Sequence, residues 1–246
     1  MMNAIAVIPA RYDSTRLPGK PLVPLAGKPM IERVWERVRR AQSLSGVIVA
    51  TDDERIRNVV ENFGGEAAMT RSDHRSGTER VAEVAAARAD AEIVVNVQGD
   101  EPLIEPAAID AAVEAIREDD EVRVSTLAVP IGKPGDIMDT NIVKVVLDFD
   151  DNALYFSRAP IPWVRDRKDP VHARHLKHLG LYAFRREALL EFATFPQGDL
   201  ERVEQLEQLR WLENGYRIRV VETEHDSVSV DVPEDVTRVE RLLAGK

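Results

Sequence analysis

Cysteine is absent from all 246 residues of the chain, and long apolar runs are absent as well. Without cysteine the protein has no disulfide, no thiolate metal site and no thiol nucleophile. No stretch approaches the roughly 20 apolar residues that span a bilayer. The first residues also lack the basic start and long apolar core of a signal peptide. Together these absences predict a cytoplasmic protein with no membrane partner.

Positive charge is also in short supply. Lysine and arginine number 33 against 43 aspartate and glutamate residues, which gives a formal net charge of −10. Nucleic-acid-binding proteins normally carry a basic surface, so we expect no nucleic-acid partner. A small anionic ligand is still compatible with this balance, because a local cluster of cations can focus the field whatever the net charge.

Two common nucleotide-binding fingerprints are missing after the first apolar run, Ala4–Ile8. Neither the GxGxxG of dinucleotide-binding folds nor the GxxxxGK[ST] of P-loop ATPases is present, which argues against a nicotinamide dehydrogenase. The segment 10–22, ARYDSTRLPGKPL, instead holds Arg11, Arg16 and Lys20 beside two prolines that favour an extended loop. Guanidinium groups grip phosphate oxygens in pairs and lysine adds a point charge, so this pattern predicts a phosphate-binding loop. The alternative is an ordinary solvated loop.

Short apolar runs alternate with helical patterns through the first half of the chain. This alternation predicts a mostly parallel sheet covered by helices on both faces, a three-layer α/β/α architecture. In such sheets ligands bind outside the carboxyl ends of the strands. The predicted strands are Ala4–Ile8, 47–50 and 93–97, and the predicted helices are 29–42, 53–63, 78–89 and 107–117.

The second half is richer in strand patterns. Residues 122–165 predict a β-rich lobe inserted into a single domain of 246 residues, either a homodimer interface or a substrate lobe. Further strands are predicted at 179–184, 216–221 and 227–230, and helices at 186–193, 200–213 and 234–243.

Carboxylates follow two of the predicted strands. In NVQGDEP, residues 96–102, Asp100 stands beside Gln98 and Glu101, and Gly99 permits close backbone approach. Oxygen ligands facing a phosphate loop favour a Mg²⁺ site, although an aspartate here could also cap a turn. In VSVDVPEDV, Asp231 is equally compatible with a metal ligand and with the N-cap of the next helix.

A third polar segment, RSDHRSGTER at residues 71–80, follows another strand end. His74 could be a base, a hydrogen-bond donor or a surface residue. Ser76, Gly77 and Thr78 are typical of a helix start, whose backbone N–H groups can face a ligand.

Strand alternation in KHLGLYAFR, residues 177–185, places His178, Gly180 and Tyr182 on one face, which predicts a pocket wall. Arg158 and Arg165 lie near prolines in the upstream YFSRAPIPWVR. In the predicted helix 200–213, Glu204 and Gln208 share a face that is either solvated or part of a site.

The chain as a whole resembles a known family. The motifs IPARYDSTRLPGKPL, ATDDERI, TRSDHRSGTERVAE, NVQGDEP, ALYFSRAPIPWVRD and KHLGLYAFR occur in this order between about residues 3 and 243. Together they resemble the 3-deoxy-manno-octulosonate (Kdo) cytidylyltransferases, also called CMP-Kdo synthetases. ARYxSxRLPGKPL is shared with sialic acid cytidylyltransferases, whereas YFSRxxIPWxRD with HLGxY is more specific to the Kdo enzymes. The last motif is VDVPEDV where the family usually has VDTPEDL, which keeps Asp231 in place.

This resemblance implies a Rossmann-like nucleotidyltransferase fold and the reaction of CTP with Kdo to give CMP-Kdo and pyrophosphate, for lipopolysaccharide synthesis. It implies one or two Mg²⁺ ions held by Asp100 and Asp231, and catalysis by Lys20, Arg16 and Asp100. The β-rich lobe 122–165 makes a homodimer the expected assembly. The residues implied around the nucleotide are Arg11, Arg16, Lys20, Arg71, Asp73, His74, Ser76 and Gly77. Those implied around the sugar acid are Arg80, Gln98, Arg158, Arg165, His178, Tyr182, Glu204 and Gln208, and helix register decides which of Glu204, Glu207 and Gln208 face it.

Three alternatives are compatible with the same residues. A nucleotidyltransferase for sialic acid or for a sugar 1-phosphate would share the first 100 residues and differ in 155–208. A non-catalytic nucleotide sensor or a dimeric scaffold would not need Asp100, Asp231 and Lys20 together. An enzyme for a modified Kdo, such as the 8-amino form, would differ by a single substituent.

Overall fold

The computed structural model describes residues 2–14, 17–165 and 174–245. Arg16, one of the three cations predicted to bind phosphate, lies outside the described residues. In chain order the strands are β1 Ala4–Ala10, β2 Pro24–Leu25, β3 Lys28–Pro29, β4 Gly46–Thr51, β5 Glu66–Met69, β6 Ile93–Asn96, β7 Val124–Pro130, β8 Lys144–Leu147, β9 Ala153–Ser157, β10 Leu176–Arg185 and β11 Arg219–Glu222. The helices are α1 Met30–Val38, α2 Glu54–Asn62, α3 Gly77–Ala87, α4 Pro106–Arg117, α5 Pro134–Met138, α6 Arg186–Phe192, α7 Asp199–Glu204, α8 Gln208–Glu213 and α9 Pro233–Leu243.

The main sheet has the strand order β11-β7-β10-β6-β1-β4-β5. Parallel pairing joins β1 to β4 and β6, β4 to β5, and β7 to β11. Strand β10 runs antiparallel to both of its neighbours, β6 and β7. The prediction of a mostly parallel sheet is therefore confirmed, with β10 as the reversed strand.

Helices cover both faces of this sheet because its central strands are apolar on both sides. In β1 six of the seven residues are buried, as expected for an inner parallel strand. On one face the core includes side chains of α1, α2 and α4, and on the other it includes side chains of α3, α6 and α8. The predicted three-layer architecture is confirmed, and no helix within the described ranges is both long and apolar enough to cross a membrane.

Segment 122–165 contributes to the sheet in two ways. Strand β7 lies inside the main sheet, between β11 and β10. Strands β8 and β9 form an antiparallel hairpin that joins the sheet through β10. The hairpin exposes Phe149 and Leu154. Its edge strand β9 pairs with β8.

Several predicted elements differ from the structure. Residues 227–230 do not form a strand, although their backbone lies close to that of Asp100. The predicted helix 200–213 is interrupted at Gln205, whose φ of 54° turns the chain between α7 and α8. Strand β5 was predicted only through the position of its end, before the polar segment 71–80, because its sequence, EAAM, has no β-branched or aromatic residue. The loop predicted to stay extended closes with a 3-10 turn over Lys20–Leu22, since Pro21 suits the first helical position.

Candidate active site

A cavity of about 310 Å³, which we call the loop cavity, lies where the parallel strands end. It is lined by residues from segments 9–21, 74–80 and 98–100 together with Asp231. These segments follow β1, β5 and β6, so the sheet edge brings them together as the sequence predicts. Many of the residues that the sequence predicts for the site line this cavity. They are Arg11, Lys20, His74, Ser76, Gly77, Arg80, Gln98, Asp100 and Asp231.

A larger cavity of about 1070 Å³, the strand cavity, lies beside it. Its walls come from segments 129–143, 177–184, 206–211 and 226–238. Gln98 and Asp231 line both cavities. Molecules bound in the two cavities would therefore meet beside these two side chains.

Lys20 occupies the centre of the loop cavity. Its Nζ donates to Asp100 Oδ2 at 2.5 Å and to Asp231 Oδ1 at 3.1 Å. The preceding Gly19 has a φ of +66°, and a Cβ there would lie 3.2 Å from the Tyr12 ring, so a side chain at this position would be strained. Gly19 N also donates to Tyr12 O, which fixes the start of the turn that carries Lys20.

Asp100 and Asp231 are brought together by the backbone. Val230 N donates to Asp100 O at 2.9 Å, which ties the segment before α9 to the loop after β6. Gly99 lets the loop after β6 lie close to the end of β1, since a Cβ there would lie 2.9 Å from Pro9 O. The N-cap of α9 is Val232, so the sequence alternative that made Asp231 the cap is wrong. Its carboxylate instead faces Lys20.

The two carboxylates fit a divalent cation. They converge on one cation, the Lys20 ammonium, from two chain segments far apart in sequence. No group of three or more acidic, histidine or cysteine ligands occurs among the residues that the structure describes. Two carboxylates are enough for Mg²⁺, which usually keeps several waters and adds substrate phosphates to one or two protein ligands.

The 71–80 segment divides between the cavity and the surface. Ser76 is the N-cap of α3 and accepts from Glu79 N at 3.2 Å. His74 lines the loop cavity and pairs through Nε2 with Glu83. Arg71 and Asp73 do not line the loop cavity; both are exposed and border a separate surface depression with Glu83.

Arg80 and Gln98 occupy different parts of the site. Arg80 is buried in the loop cavity, where Nη2 lies 3.2 Å from Asp52 Oδ2 and Nη1 donates to Thr70 Oγ1 at 2.5 Å. Arg80 therefore lies on the loop-cavity side, not on the strand-cavity side. Gln98 stands between the cavities and donates to Gly180 O at 3.3 Å.

Strand β10 forms one wall of the strand cavity, as its alternation predicts. His178, Gly180 and Tyr182 line the cavity, while Leu181 packs into the core under the opposite face. Leu179 belongs to the same core cluster and also borders the cavity. The pairing with β7 shifts register between Leu179 and Tyr182. This shift is a β-bulge that was not predicted from the sequence. The ring centroids of His178 and Tyr182 lie 5.4 Å apart.

His178 lies half-buried in the wall of the strand cavity. Burial lowers its pKa to about 3, because the charged imidazolium would lose its hydration. Its Nε2 lies 3.0 Å from Thr126 Oγ1, which donates its own proton to Leu181 O at 2.7 Å. The network thus assigns the ring proton to Nε2, which donates to Thr126.

Four buried polar atoms that line the strand cavity have no hydrogen-bond partner within the described residues. They are Glu101 Oε2, Tyr182 Oη, Glu207 Oε1 and Ser227 Oγ. Buried polar groups are nearly always hydrogen-bonded in folded proteins, so four such atoms in one cavity point to a polar ligand.

Two of these groups carry shifted pKa values. Burial, followed by the neighbouring charge of Asp100, raises the pKa of Glu101 to about 7. Burial also raises the pKa of Glu207, against the hydrogen bonds that its carboxylate accepts. One of these bonds comes from Thr78 Oγ1 at 2.5 Å, and Asn96 Nδ2 in turn donates to that hydroxyl at 3.2 Å.

The break at Gln205 decides which residues of 204–208 reach the cavity. Glu207 and Gln208 line it, whereas Glu204 points to the β9 end, where Ser157 Oγ donates to it at 2.6 Å. A continuous helix would have placed Glu204 and Gln208 on one face. No glycine or proline marks the break, so the sequence carries no signal for it.

Arg158 is held by backbone oxygens in this structure. Its guanidinium donates to Glu204 O at 2.9 Å and Thr140 O at 3.0 Å. The carbonyl of Arg158 accepts from the fully buried Lys144, whose Nζ also donates to Asp139 O and Ile142 O. This cationic network connects two walls of the strand cavity. Arg165 is exposed at the end of a described range and does not line either cavity.

A row of six aromatic rings leads away from the strand cavity into the core. Successive ring centroids lie 4.3 to 5.8 Å apart. The row runs through Phe156, His178, Tyr182, Phe184, Trp211 and Phe192.

Comparison with known proteins gives consistent matches over nearly the whole chain. The sequence profile of the family described as cytidylyltransferase matches residues 5–218. The chain is 55% identical to the 3-deoxy-manno-octulosonate cytidylyltransferase of Solibacter usitatus, over 97% of this chain and 94% of that protein. It is 54% identical to the protein of the same name from Geobacter sulfurreducens, over 97% and 98% of the two chains.

A solved structure agrees with these sequence matches. It is that of a CMP:2-keto-3-deoxy-manno-octonic acid synthetase complexed with CTP. It superposes on this chain with a TM-score of 0.93 and 43% sequence identity, covering 99% of each chain.

Proposed function

The chain belongs to the cytidylyltransferase family, and from this premise we propose that it transfers CMP from CTP to Kdo, giving CMP-Kdo and pyrophosphate. The named relatives support Kdo as the acceptor. The solved relative complexed with CTP supports the nucleotide. On this proposal the loop cavity receives the triphosphate and the strand cavity receives the sugar acid.

The observation that carries the proposal is the junction of the two cavities at Gln98 and Asp231. A transfer reaction needs the two reacting atoms to be held in contact and in line, which accounts for much of the rate of such enzymes. The cationic loop lies on one side of the junction. The four unpartnered polar atoms lie on the other, where a polyhydroxylated sugar can supply hydrogen bonds.

In the reaction the anomeric oxygen of Kdo forms a bond to the α-phosphorus of CTP. The bond from that phosphorus to the bridging oxygen breaks, pyrophosphate leaves and the hydroxyl proton passes to solvent. Charge grows on the leaving phosphate oxygens, so positioning and cationic stabilisation provide most of the catalysis. Lys20 and Arg11, both in the loop cavity, are placed to stabilise this charge, and by resemblance Arg16 would join them.

Asp100 and Asp231 would hold the divalent cation, for which we propose Mg²⁺. When bound, Mg²⁺ would polarise the α-phosphate and favour ionisation of the attacking hydroxyl. The residues of the chain itself provide the geometry: the bond from Val230 N to Asp100 O keeps the two carboxylates together, and Gln98 separates the two substrates.

We extend the proposal to a cytoplasmic homodimer in lipopolysaccharide synthesis. CTP is made in the cytoplasm, which supports that location. Exposed apolar side chains on and near the β8–β9 hairpin, Phe149, Leu154 and Trp163, support a protein partner. Sedimentation equilibrium tests the dimer, and a monomer at micromolar concentration would contradict it.

The function is tested by pyrophosphate release from the purified protein with Mg²⁺. Four nucleoside triphosphates are each combined with Kdo, 8-amino-Kdo, sialic acid and a sugar 1-phosphate. We expect release with CTP and Kdo. Release with CTP and another acceptor would overturn the assignment of the strand cavity, and no release from folded protein that binds CTP would favour a sensor.

A further inference from the structure

The Lys20 ammonium lies where a divalent cation would bind. It donates to Asp100 Oδ2 and Asp231 Oδ1 at 2.5 and 3.1 Å, and its side chain is only 14% exposed. The same lysine is the cation best placed to contact a triphosphate in the loop cavity. Lys20 can therefore pair either with the two carboxylates or with a bound triphosphate. A single ammonium cannot contact both at full strength.

The backbone segments that carry the two carboxylates are held by contacts that do not involve Lys20. Val230 N holds the Asp100 carbonyl. Asp235 accepts from the backbone N–H groups of Asp231 and Val232 at 2.9 and 3.0 Å. The lysine side chain, with its flexible four-carbon stem, is the part of the cluster that can move most easily.

An ammonium and a divalent cation compete for these oxygens. Mg²⁺ approaches carboxylate oxygens to about 2.0–2.1 Å. An ammonium within hydrogen-bond distance of the same oxygens would then face a double positive charge at close range. The two cations therefore exclude each other, and each keeps the carboxylates from repelling one another while it is present.

We propose that Lys20 is an internal substitute for the metal, which weakens metal binding to the free protein and leaves the carboxylates when the phosphates of CTP draw it away. This inference rests on the proposed function, because it takes CTP as the ligand of the loop cavity. It makes metal and nucleotide bind together: each raises the affinity for the other, and by linkage the two effects are equal. The device prevents a divalent cation from settling between Asp100 and Asp231 before the nucleotide arrives.

The inference is tested by the affinity of the nucleotide-free protein for Mn²⁺, measured from the EPR signal of the free ion. No sugar acid and no CTP are present, so the result is independent of whether Kdo is the acceptor. Lys20→Met removes the ammonium and keeps most of the side-chain volume. We expect it to bind Mn²⁺ at least about tenfold more tightly than wild type, which corresponds to about 1.4 kcal/mol.

Arg11→Met is the matched control. It removes a positive charge from the same cavity and leaves both carboxylate contacts of Lys20 intact. We expect a change of less than about threefold, because Arg11 is exposed and its charge is screened by solvent. Lys20→Gln serves as a second variant if Lys20→Met has a lower melting temperature than wild type.

Two results would overturn the inference. One is Mn²⁺ binding by the Lys20 variants that is no tighter than wild type. The other is an equal gain from Arg11→Met, which would indicate a general effect of charge. Wild-type crystals give a second readout: the anomalous Mn²⁺ signal between Asp100 and Asp231 should require CTP, and a full-strength signal without CTP would contradict the proposal.

Discussion

In the loop cavity most of the charged side chains already have partners. Lys20 pairs with Asp100 and Asp231, and Arg80 pairs with Asp52. In the strand cavity, by contrast, four buried polar atoms have no hydrogen-bond partner within the described residues. A ligand of the loop cavity must therefore exchange existing ion pairs, whereas a ligand of the strand cavity adds hydrogen bonds that the protein alone does not make.

This difference determines how each cavity contributes to the binding of the two substrates. A ligand that replaces an existing ion pair in the loop cavity gains little net binding energy. The replacement does release a charged side chain, and this couples the binding of one ligand to that of another, as we infer for metal and nucleotide. Supplying missing bonds to buried groups discriminates strongly between ligands, because a ligand that lacks the matching hydroxyl leaves the buried group unpaired. We therefore expect coupling to reside in the loop cavity and acceptor specificity in the strand cavity.

The largest expected effect comes from Asp100→Asn. Loss of an outer-shell partner of a metal ligand typically costs about 10–100-fold, so loss of a direct ligand should lower kcat by at least about 100-fold. Pyrophosphate release at saturating substrates measures it. Asp199→Asn, at an exposed residue of α7, is the control. Near-normal turnover in Asp100→Asn would remove this residue from the metal site.

A smaller effect, confined to the acceptor, is expected from Glu207→Gln. A hydrogen bond to a charged group contributes about 1.5–3 kcal/mol, so kcat/KM for the sugar acid should fall by about 10–100-fold. The Kd for CTP, measured by calorimetry, should be unchanged, because Glu207 lines only the strand cavity. Glu187→Gln, on the surface of α6, is the control. An equal loss of CTP affinity would contradict the separation of the two cavities.

Lys144→Met should affect stability and, more weakly, the acceptor. Its ammonium donates to three carbonyls that support the strand-cavity wall, and leaving buried acceptors unpaired costs about 1–3 kcal/mol of unfolding free energy. We expect KM for the sugar acid to rise severalfold and KM for CTP to stay constant. Urea unfolding and steady-state kinetics measure both. Lys28→Met, at a surface ion pair, should leave stability nearly unchanged, because exposed ion pairs are screened by solvent. A rise in both KM values would contradict a local role for Lys144.

The smallest effect is a change in the pH dependence of stability. The folded pKa of His178 is lowered to about 3 from 6.5, so the unfolded chain binds more protons between these values. Its contribution is therefore present above pH 6.5 and is lost as the pH falls towards 3. His178→Gln should flatten the decline in unfolding free energy between pH 6.5 and 4, and His225→Gln, at an exposed position, should not. Parallel curves for wild type and His178→Gln would contradict a neutral imidazole.

Much of the loop cavity could be predicted from the sequence, because its parts follow strands directly. Parallel strands end at the same edge, so residues after β1 and β6 meet whatever their separation in the chain. Lys20 and Asp100 were predicted together on this basis, and they lie in contact. The role of Asp231, helix cap or metal ligand, could not be predicted. It depends on the hydrogen bonds that Val230 makes to Asp100 and that Asp235 accepts from Val232.

The strand cavity was predicted only where a local pattern exists. Alternation in β10 was sufficient for His178 and Tyr182. The turn at Gln205 and the contacts of Arg158 depend on residues far apart in the chain. Glu207 therefore reaches the cavity in place of Glu204, a result that helical periodicity cannot give. A lysine within the apolar run IVKVV was the one signal for Lys144.

The reversed strand β10 also sets the order in which the sheet can be assembled during synthesis. Strands β1, β4, β5 and β6 all lie within the first 96 residues and neighbour one another. Strand β7 has its places beside β10 and β11, both of which leave the ribosome later. The half of the molecule that holds the cationic loop can therefore pair its strands early, whereas the wall for the second substrate forms only after β10 is inserted between β6 and β7.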